Sequence, residues 1–168
     1  ARKFMGYFDN PSSNFTSYSN QSHNFIIFRL AEMYLNYAEA LNESERTAEA
    51  YAPLIELRKR AKITAGTGNL YGLKNNMTKE EMRTVIQNER RVELAFEEHR
   101  FWDVRRWKLA GTLFNKKLHG IRITKTGTAL QYKLEEVNEI KFADRLYHMP
   151  IPFSEISKNK SLQQNEGW

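Results

Sequence analysis

TKEEMRTVIQNERRVELAFEEHRFWDVRRWKLA, Thr78 to Ala110, runs for 33 residues without a glycine or a proline. Met82, Val85, Ile86, Glu89 and Phe96 fall at helical spacing. Thr78 followed by Glu81 is the capping-box pairing that opens such a helix, and Gly111 is a stop signal at its far end. One unbroken rod of this length would be about 50 Å long, more than the diameter of the domain it would have to cover. The stretch therefore predicts two consecutive helices over 78–110 with a break near Glu98–Phe101.

Upstream, Leu30, Met33, Tyr34, Tyr37 and Leu41 form one apolar stripe on a helix from about Ile27 to Leu41. Ala31, Ala38 and Ala40 are small enough to let a partner helix come close. A second helix, about Thr47 to Lys62, presents Tyr51, Leu54, Ile55 and Arg58. The short link between the two predicts an antiparallel helical hairpin over 27–62. Residues 9–24, rich in Ser and Asn, and 63–77, with three glycines, read as loops. Downstream the period changes from helical to alternating. Ile121 and Ile123, then Leu130, Tyr132 and Leu134, predict two strands joined at Lys125-Thr126-Gly127. Pro150 and Pro152 hold their predecessors extended. SEISKN, from Ser154, reads as a short turn, and the ring of Trp168 as packed rather than free. The fold class is mainly α: helical hairpins followed by a strand, loop and short-turn region over 120–168.

Composition narrows the chemistry. With 168 residues, ten Phe, eight Tyr and three Trp, the chain has the apolar material for one good-sized core. It has no cysteine, which excludes disulfides, thiolate metal sites and cysteine nucleophiles within it. The net charge of +6 is dispersed, and its only dense patch, Arg58-Lys59-Arg60 with Lys62, lacks interleaved rings for stacking bases. Phe25 to Phe28 is the longest aliphatic and aromatic run, far short of a bilayer span.

The densest charged cluster lies within Glu89–Trp107. Glu89, Glu93 and Glu97 share a helix face at i, i+4 and i+8, within reach of Arg90, Arg100 and Arg106. Glu32 and Glu39 of the first helix can join them. Arginines at this density hold carboxylates ionised, which spoils a general acid. The group, with Asp103 and Trp107, therefore reads as a structural ion-pair and packing network. No Glu-x-x-His element for a di-iron bundle occurs, nor HExxH, a Walker motif, GxGxxG or GxSxG. His99 and Asp103 stand four apart without an evident third metal ligand. No catalytic residue, metal or cofactor is expected. A ligand platform for sugars requires a flat ring face beside hydrogen-bonding side chains. The loop tyrosines Tyr7, Tyr18 and Tyr71 are the candidates.

Four stretches in order, FRLAEMYLNYAEALNE (Phe28–Glu43), ELRKRA (Glu56–Ala61), ERRVELAFEEHRFWDVRRWKLAG (Glu89–Gly111) and MPIPFSEISKNKSLQQNEGW (Met149–Trp168), together resemble the C-terminal part of the SusD/RagB family. The resemblance implies a tetratricopeptide-like scaffold, with residues 1–168 as the C-terminal portion of a SusD-like domain whose other helices lie upstream. It implies a noncatalytic outer-membrane lipoprotein at the cell surface, lipid-anchored in the full-length protein. Such a protein binds oligosaccharides or other large nutrients for a SusC-like TonB-dependent transporter. The alternative is a helical-repeat protein-interaction module with no small ligand. In the family, the motif equivalent to Glu89, Arg90, Arg91, Glu93, Glu97, Arg100 and Asp103 is chiefly architectural. Two positions depart from the family pattern. Glu98 stands where glycine is common, and Glu166 stands where proline precedes the last glycine.

Overall fold

The computed structural model describes residues 26–168, so Tyr7 and Tyr18 lie outside the described residues. The chain divides into two units, Ala1–Glu93 and Leu94–Trp168.

In the first unit, α1 (Leu30–Glu43), α2 (Tyr51–Arg60) and α3 (Lys79–Glu93) pack with α1 against both of the others. The face that α1 buries is Ala31, Leu35, Ala38, Leu41 and Asn42. This corrects the stripe expected from the largest side chains, of which Leu30, Met33 and Tyr37 are exposed. Two helices contact α1, and the alanine positions are where their side chains can enter without clashing. α2 begins four residues later than the periodicity suggests. Thr47 to Ala50 form a turn, and Pro53 sits in the first helical turn, where its missing N–H costs no hydrogen bond. The buried residues of α2 are Pro53, Leu54 and Leu57; Tyr51 and Ile55 are half-buried.

The capping box forms as expected. Glu81 N donates to Thr78 Oγ1 at 3.2 Å, and Thr78 N donates to Glu81 Oε2 at 2.9 Å. Asn42, fully buried, joins three segments: its Nδ2 donates to Lys79 O at 3.0 Å and its Oδ1 accepts from Thr47 Oγ1 at 2.9 Å. At the end of α1, Glu43 takes a two-point fork from Arg83, Nε at 2.7 Å and Nη2 at 2.6 Å.

In the second unit, the long glycine-free stretch breaks at Leu94–Glu98, slightly before the expected Glu98–Phe101. Phe96 and Glu98 both take left-handed backbone, φ 63° and 65°. α4 (His99–Arg106) follows, then α5 (Ala110–Phe114). Gly111 lies inside α5 and is not the stop; the interruption falls at Lys108, φ 57°. The core is Val104, Ala110 and Phe142, with Leu113, Phe114, Leu146 and Tyr147 packed on it. Trp102 is exposed.

β1 (Lys116–Thr126) and β2 (Ala129–Ile140) form an antiparallel ribbon that turns at Gly127, φ 61°, with a bulge at Leu118/His119. The strands start earlier and end later than their apolar alternation shows, because Lys116, Lys117, Glu136 and Glu139 also pair in the ladder. Ile121 stands opposite Leu134 and Ile123 opposite Tyr132, so these four share one face, and all are exposed. Asn115 closes the base of the ribbon. Its Oδ1 accepts from Phe142 N at 2.6 Å, and its Nδ2 donates to Phe142 O at 3.1 Å and Gly111 O at 2.9 Å. A 3-10 turn, Asp144–Tyr147, and α6 (Phe153–Lys158) complete the unit.

Two tests follow. The carboxyl of Glu43 is held below its ordinary value of 4.5, chiefly by the hydrogen bond from Arg83. A depressed folded-state pKa adds stability that is present above pH 4.5 and is lost as pH falls through the folded value. Arg83→Gln should therefore lower the urea midpoint at pH 7 and leave it unchanged once Glu43 is protonated; an equal loss at both pH values would rule this linkage out. Glu98→Gly should stabilise the protein by about 1 kcal/mol, since left-handed backbone costs a side-chain-bearing residue about that much. A lowered urea midpoint would show that Glu98 does not carry that strain.

Candidate functional site

The expected charged cluster is built by the ends of three helices in the first unit. Glu93 Oε1, at the end of α3, accepts from Arg29 Nη1 at 2.6 Å, just before α1, and from Arg60 Nη2 at 2.5 Å, at the end of α2. Arg29 Nη2 also donates to the Glu93 carbonyl at 2.8 Å. One turn earlier on α3, Glu89 pairs with Arg58 of α2, whose Nε donates to Glu89 Oε1 at 3.1 Å. Arg90 is buried and donates through Nη1 to Asn36 Oδ1 of α1 at 2.6 Å. Glu32 and Glu39 lie half-buried on α1.

The remaining cluster residues belong to the second unit. Asp103 is buried on α4 and accepts from Arg106 Nε at 3.0 Å, while the Arg106 guanidinium lies 4.6 Å from the Trp107 ring centre. Glu97 and Arg100 are half-buried around the start of α4. The structure thus divides the named residues between two bodies. The guanidinium groups of Arg29, Arg58 and Arg60, which bring the carboxylates of α3 to α1 and α2, were not among the sequence candidates. Arg58 was legible on the presented face of the second helix and in a basic patch, but its partner 31 positions away gives no local signal.

Tyr71 is half-buried in the loop after α2 and has left-handed backbone, φ 52°. Its carbonyl accepts from Arg58 Nη1 at 2.9 Å, and Lys59 Nζ lies 5.7 Å from its ring centre. The same guanidinium therefore holds both Glu89 and the loop that carries the tyrosine.

A cleft that no sequence pattern signals lies in the second unit, about 610 Å³ in volume, lined by Lys108, Asp144, Arg145, Tyr147, His148, Glu166 and Gly167. Its wall is the C-terminal tail folded back on the 3-10 turn. Trp168 Nε1 donates to the carbonyls of Arg145 at 2.9 Å and His148 at 3.1 Å, and the Arg145 guanidinium lies 4.8 Å from the indole centre. Gly167, φ 83°, passes so close that a Cβ there would stand 2.8 Å from Arg145 Cβ. Behind it, Gln164 exchanges two hydrogen bonds with the Ile151 backbone, 2.8 and 2.9 Å, and Asn165 donates to Met149 O at 2.6 Å. Among the described residues no cluster of three or more His, Asp or Glu is placed to hold a metal ion.

Comparison with known proteins fits this architecture. The family model of the SusD family matches residues 1–168. SusD-like protein P2 of Formosa agariphila is 33% identical over 145 residues, covering 86% of this chain and 26% of the relative. SusD-like protein P25 of the same organism is 32% identical over 149 residues, covering 88% and 24%. The crystal structure of a SusD-like protein from Bacteroides fragilis superposes with a TM-score of 0.70 at 35% identity, over 86% of this chain and 26% of that one. The chain belongs to the SusD/RagB family of outer-membrane nutrient-binding proteins. It spans about a quarter of the length of these relatives.

The Arg58–Glu89 pair is mostly shielded from water, with side-chain exposures of 16% and 18%. Removing one partner of such a pair strands the other charge, so Arg58→Met should cost about 3 kcal/mol in urea unfolding. Combined with Glu89→Gln, the two losses should fall well short of additive. Additive losses would mean that the two side chains act independently.

Proposed function

We propose that the protein is a noncatalytic component of nutrient capture. It binds oligosaccharides or other large nutrients at the cell surface and passes them to a SusC-like TonB-dependent transporter in the outer membrane. A lipid anchor on the full-length protein would hold it there. The observation that carries this reading is the match of the SusD family model to residues 1–168. The arrangement of charges supports the noncatalytic part. Glu89, Glu93 and Asp103, the acids a hydrolase would need, each face a guanidinium at hydrogen-bond distance. Their oxygens are committed to hydrogen bonds within the fold. Among the described residues, no helix is long and apolar enough to cross a membrane.

Tyr7, Tyr18 and Tyr71 are the ring faces we assign to ligand stacking. The amide-bearing Asn69, Asn75 and Asn76 lie in the same loop as Tyr71. The full SusD-like portion, residues 1–168, is proposed to serve as the C-terminal part of the larger binding domain.

A glycan array tests the reading, with chromatography of the recovered ligand. Expected is saturable binding of at least one oligosaccharide, recovered uncleaved after prolonged incubation, together with co-purification of a TonB-dependent transporter from outer membranes. Shortened oligosaccharide products would sink the noncatalytic assignment. Failure to bind any glycan would remove oligosaccharides and leave peptide nutrients to be screened in the same way.

A further inference from the structure

The cleft of the second unit gathers charged side chains that form no ion pairs with one another. Lys108, Asp144, Arg145, His148 and Glu166 all line it and are all exposed. Among the described residues, none of Lys108, Asp144, Arg145 and Glu166 makes an ion pair within 4.0 Å. By contrast, Arg29, Arg46, Arg58, Arg60, Arg83 and Arg122 each meet a carboxylate. Among the described residues the Arg145 side chain makes one hydrogen bond, a long one of 3.5 Å from Nη1 to Gly167 O, so its fork keeps donors for a ligand.

These groups are held in place by backbone rather than by one another. The left-handed turn at Lys108 lays its chain along Tyr147, with Nζ 4.9 Å from the ring centre. Tyr147 is itself fixed, its Oη accepting from Gly111 N at 3.0 Å and its ring edge-on to Phe142 in the core. Arg145 lies on the Trp168 ring, and the indole is tied back to the 3-10 turn by its N–H. The floor is therefore joined to the core of the unit. The two cations stand over aromatic rings in the lining of the cleft.

We propose that this cleft is a subsite for a carboxylated sugar, a uronic-acid residue of an oligosaccharide; the inference rests on the nutrient-binding reading above. A uronate matches the mixed lining. Its carboxylate takes the N–H donors of Arg145 and the ammonium of Lys108. Its hydroxyls donate to the carboxylates of Asp144 and Glu166. The volume is in the range of small-ligand clefts and admits a short saccharide. A neutral sugar would leave both cations without an anion and gain only the hydroxyl contacts.

Calorimetry with tetragalacturonate and with maltotetraose, a neutral tetrasaccharide, provides the test. The wild-type protein should bind tetragalacturonate at least tenfold more tightly, with an affinity that falls as salt is raised. Lys108→Gln and Arg145→Gln should each weaken tetragalacturonate about tenfold or more while leaving maltotetraose unchanged. Arg145 also supports Trp168, whereas Lys108 lies over Tyr147, so Lys108→Gln guards against a merely unfolded tail, and a thermal melt of each variant checks the fold. Equal affinity for the two sugars, or variants that bind tetragalacturonate like the wild type, would overturn the assignment. If other glycans bind on the array and tetragalacturonate does not, this subsite falls while the nutrient-binding reading stands. If nothing binds on the array, the subsite falls together with the oligosaccharide part of the nutrient-binding reading, and peptide nutrients are screened next.

Discussion

Glu93 receives two guanidinium groups, and the first unit is organised around that meeting. Arg29 approaches from the entrance to α1 and Arg60 from the exit of α2, so three helix ends converge on one carboxylate. With side-chain exposures of 19% for Arg29 and 18% for Glu93, the charges are largely out of water, and neither could be left alone without a large desolvation penalty. The requirement propagates along α3. Glu89, one turn back, carries Arg58, and Arg58 in turn holds the Tyr71 carbonyl. Gly72, φ 77°, lies against that same guanidinium, with room for a Cβ only at 3.4 Å from Nη1. The path of a loop between two helices is thus set by a charge pair on the helices themselves. At the other end of the bundle Asn42 and the Glu43–Arg83 fork hold α1 to α3. Polar contacts fix both ends, while Leu35, Leu54, Met82 and Ile86 fill the space between.

What the residues disclose depends on how local the cause is. The capping box of α3 could be read from Thr78 and Glu81 because both partners lie within one turn. The hairpin of strands could be read because side chains alternate at period two whatever the ribbon packs against. The buried face of α1 could not. Large residues at helical spacing mark an apolar face, and α1 has two, one of Leu30, Met33 and Tyr37 and one of Ala31, Leu35, Ala38 and Leu41. Which of them two neighbouring helices cover depends on their approach distance, a tertiary quantity. The break before α4 was visible as a length problem, but its position follows from Phe96 and Glu98 adopting left-handed backbone, which neither residue type announces. Glu98 there occupies a conformation that suits the glycine common at this position in the family.

The cleft was the least legible feature, for a reason that also explains its chemistry. Lys108, Arg145 and Glu166 are separated by long stretches of chain and share no period or motif. They meet only because the tail returns along the segment before α6. The motif residues that bring the tail back commit their hydrogen-bonding groups to the protein: Gln164 to Ile151, Asn165 to Met149 and Trp168 to Arg145 and His148. Their identities are dictated by backbone geometry. Lys108, Asp144 and Glu166 are held in position by this framework, and Arg145, although it lies on the Trp168 ring, meets no carboxylate within it.

That division changes the meaning of the net charge. A formal +6 spread along the sequence carries little information, because most arginines are matched by a carboxylate a few ångströms away. The electrostatic field a ligand meets is the part left after such pairing. On the second unit, Lys108 and Arg145 stand without an ion pair where the surface is concave and Asp144 and Glu166 share the rim. A surface of paired charges offers a ligand mostly competition, since each contact must displace one already made. A concave group of unpaired donors and acceptors, preorganised by its supports, needs no such displacement. The scaffold supplies rigid, satisfied surroundings, and discrimination among ligands resides in the few groups it leaves unsatisfied.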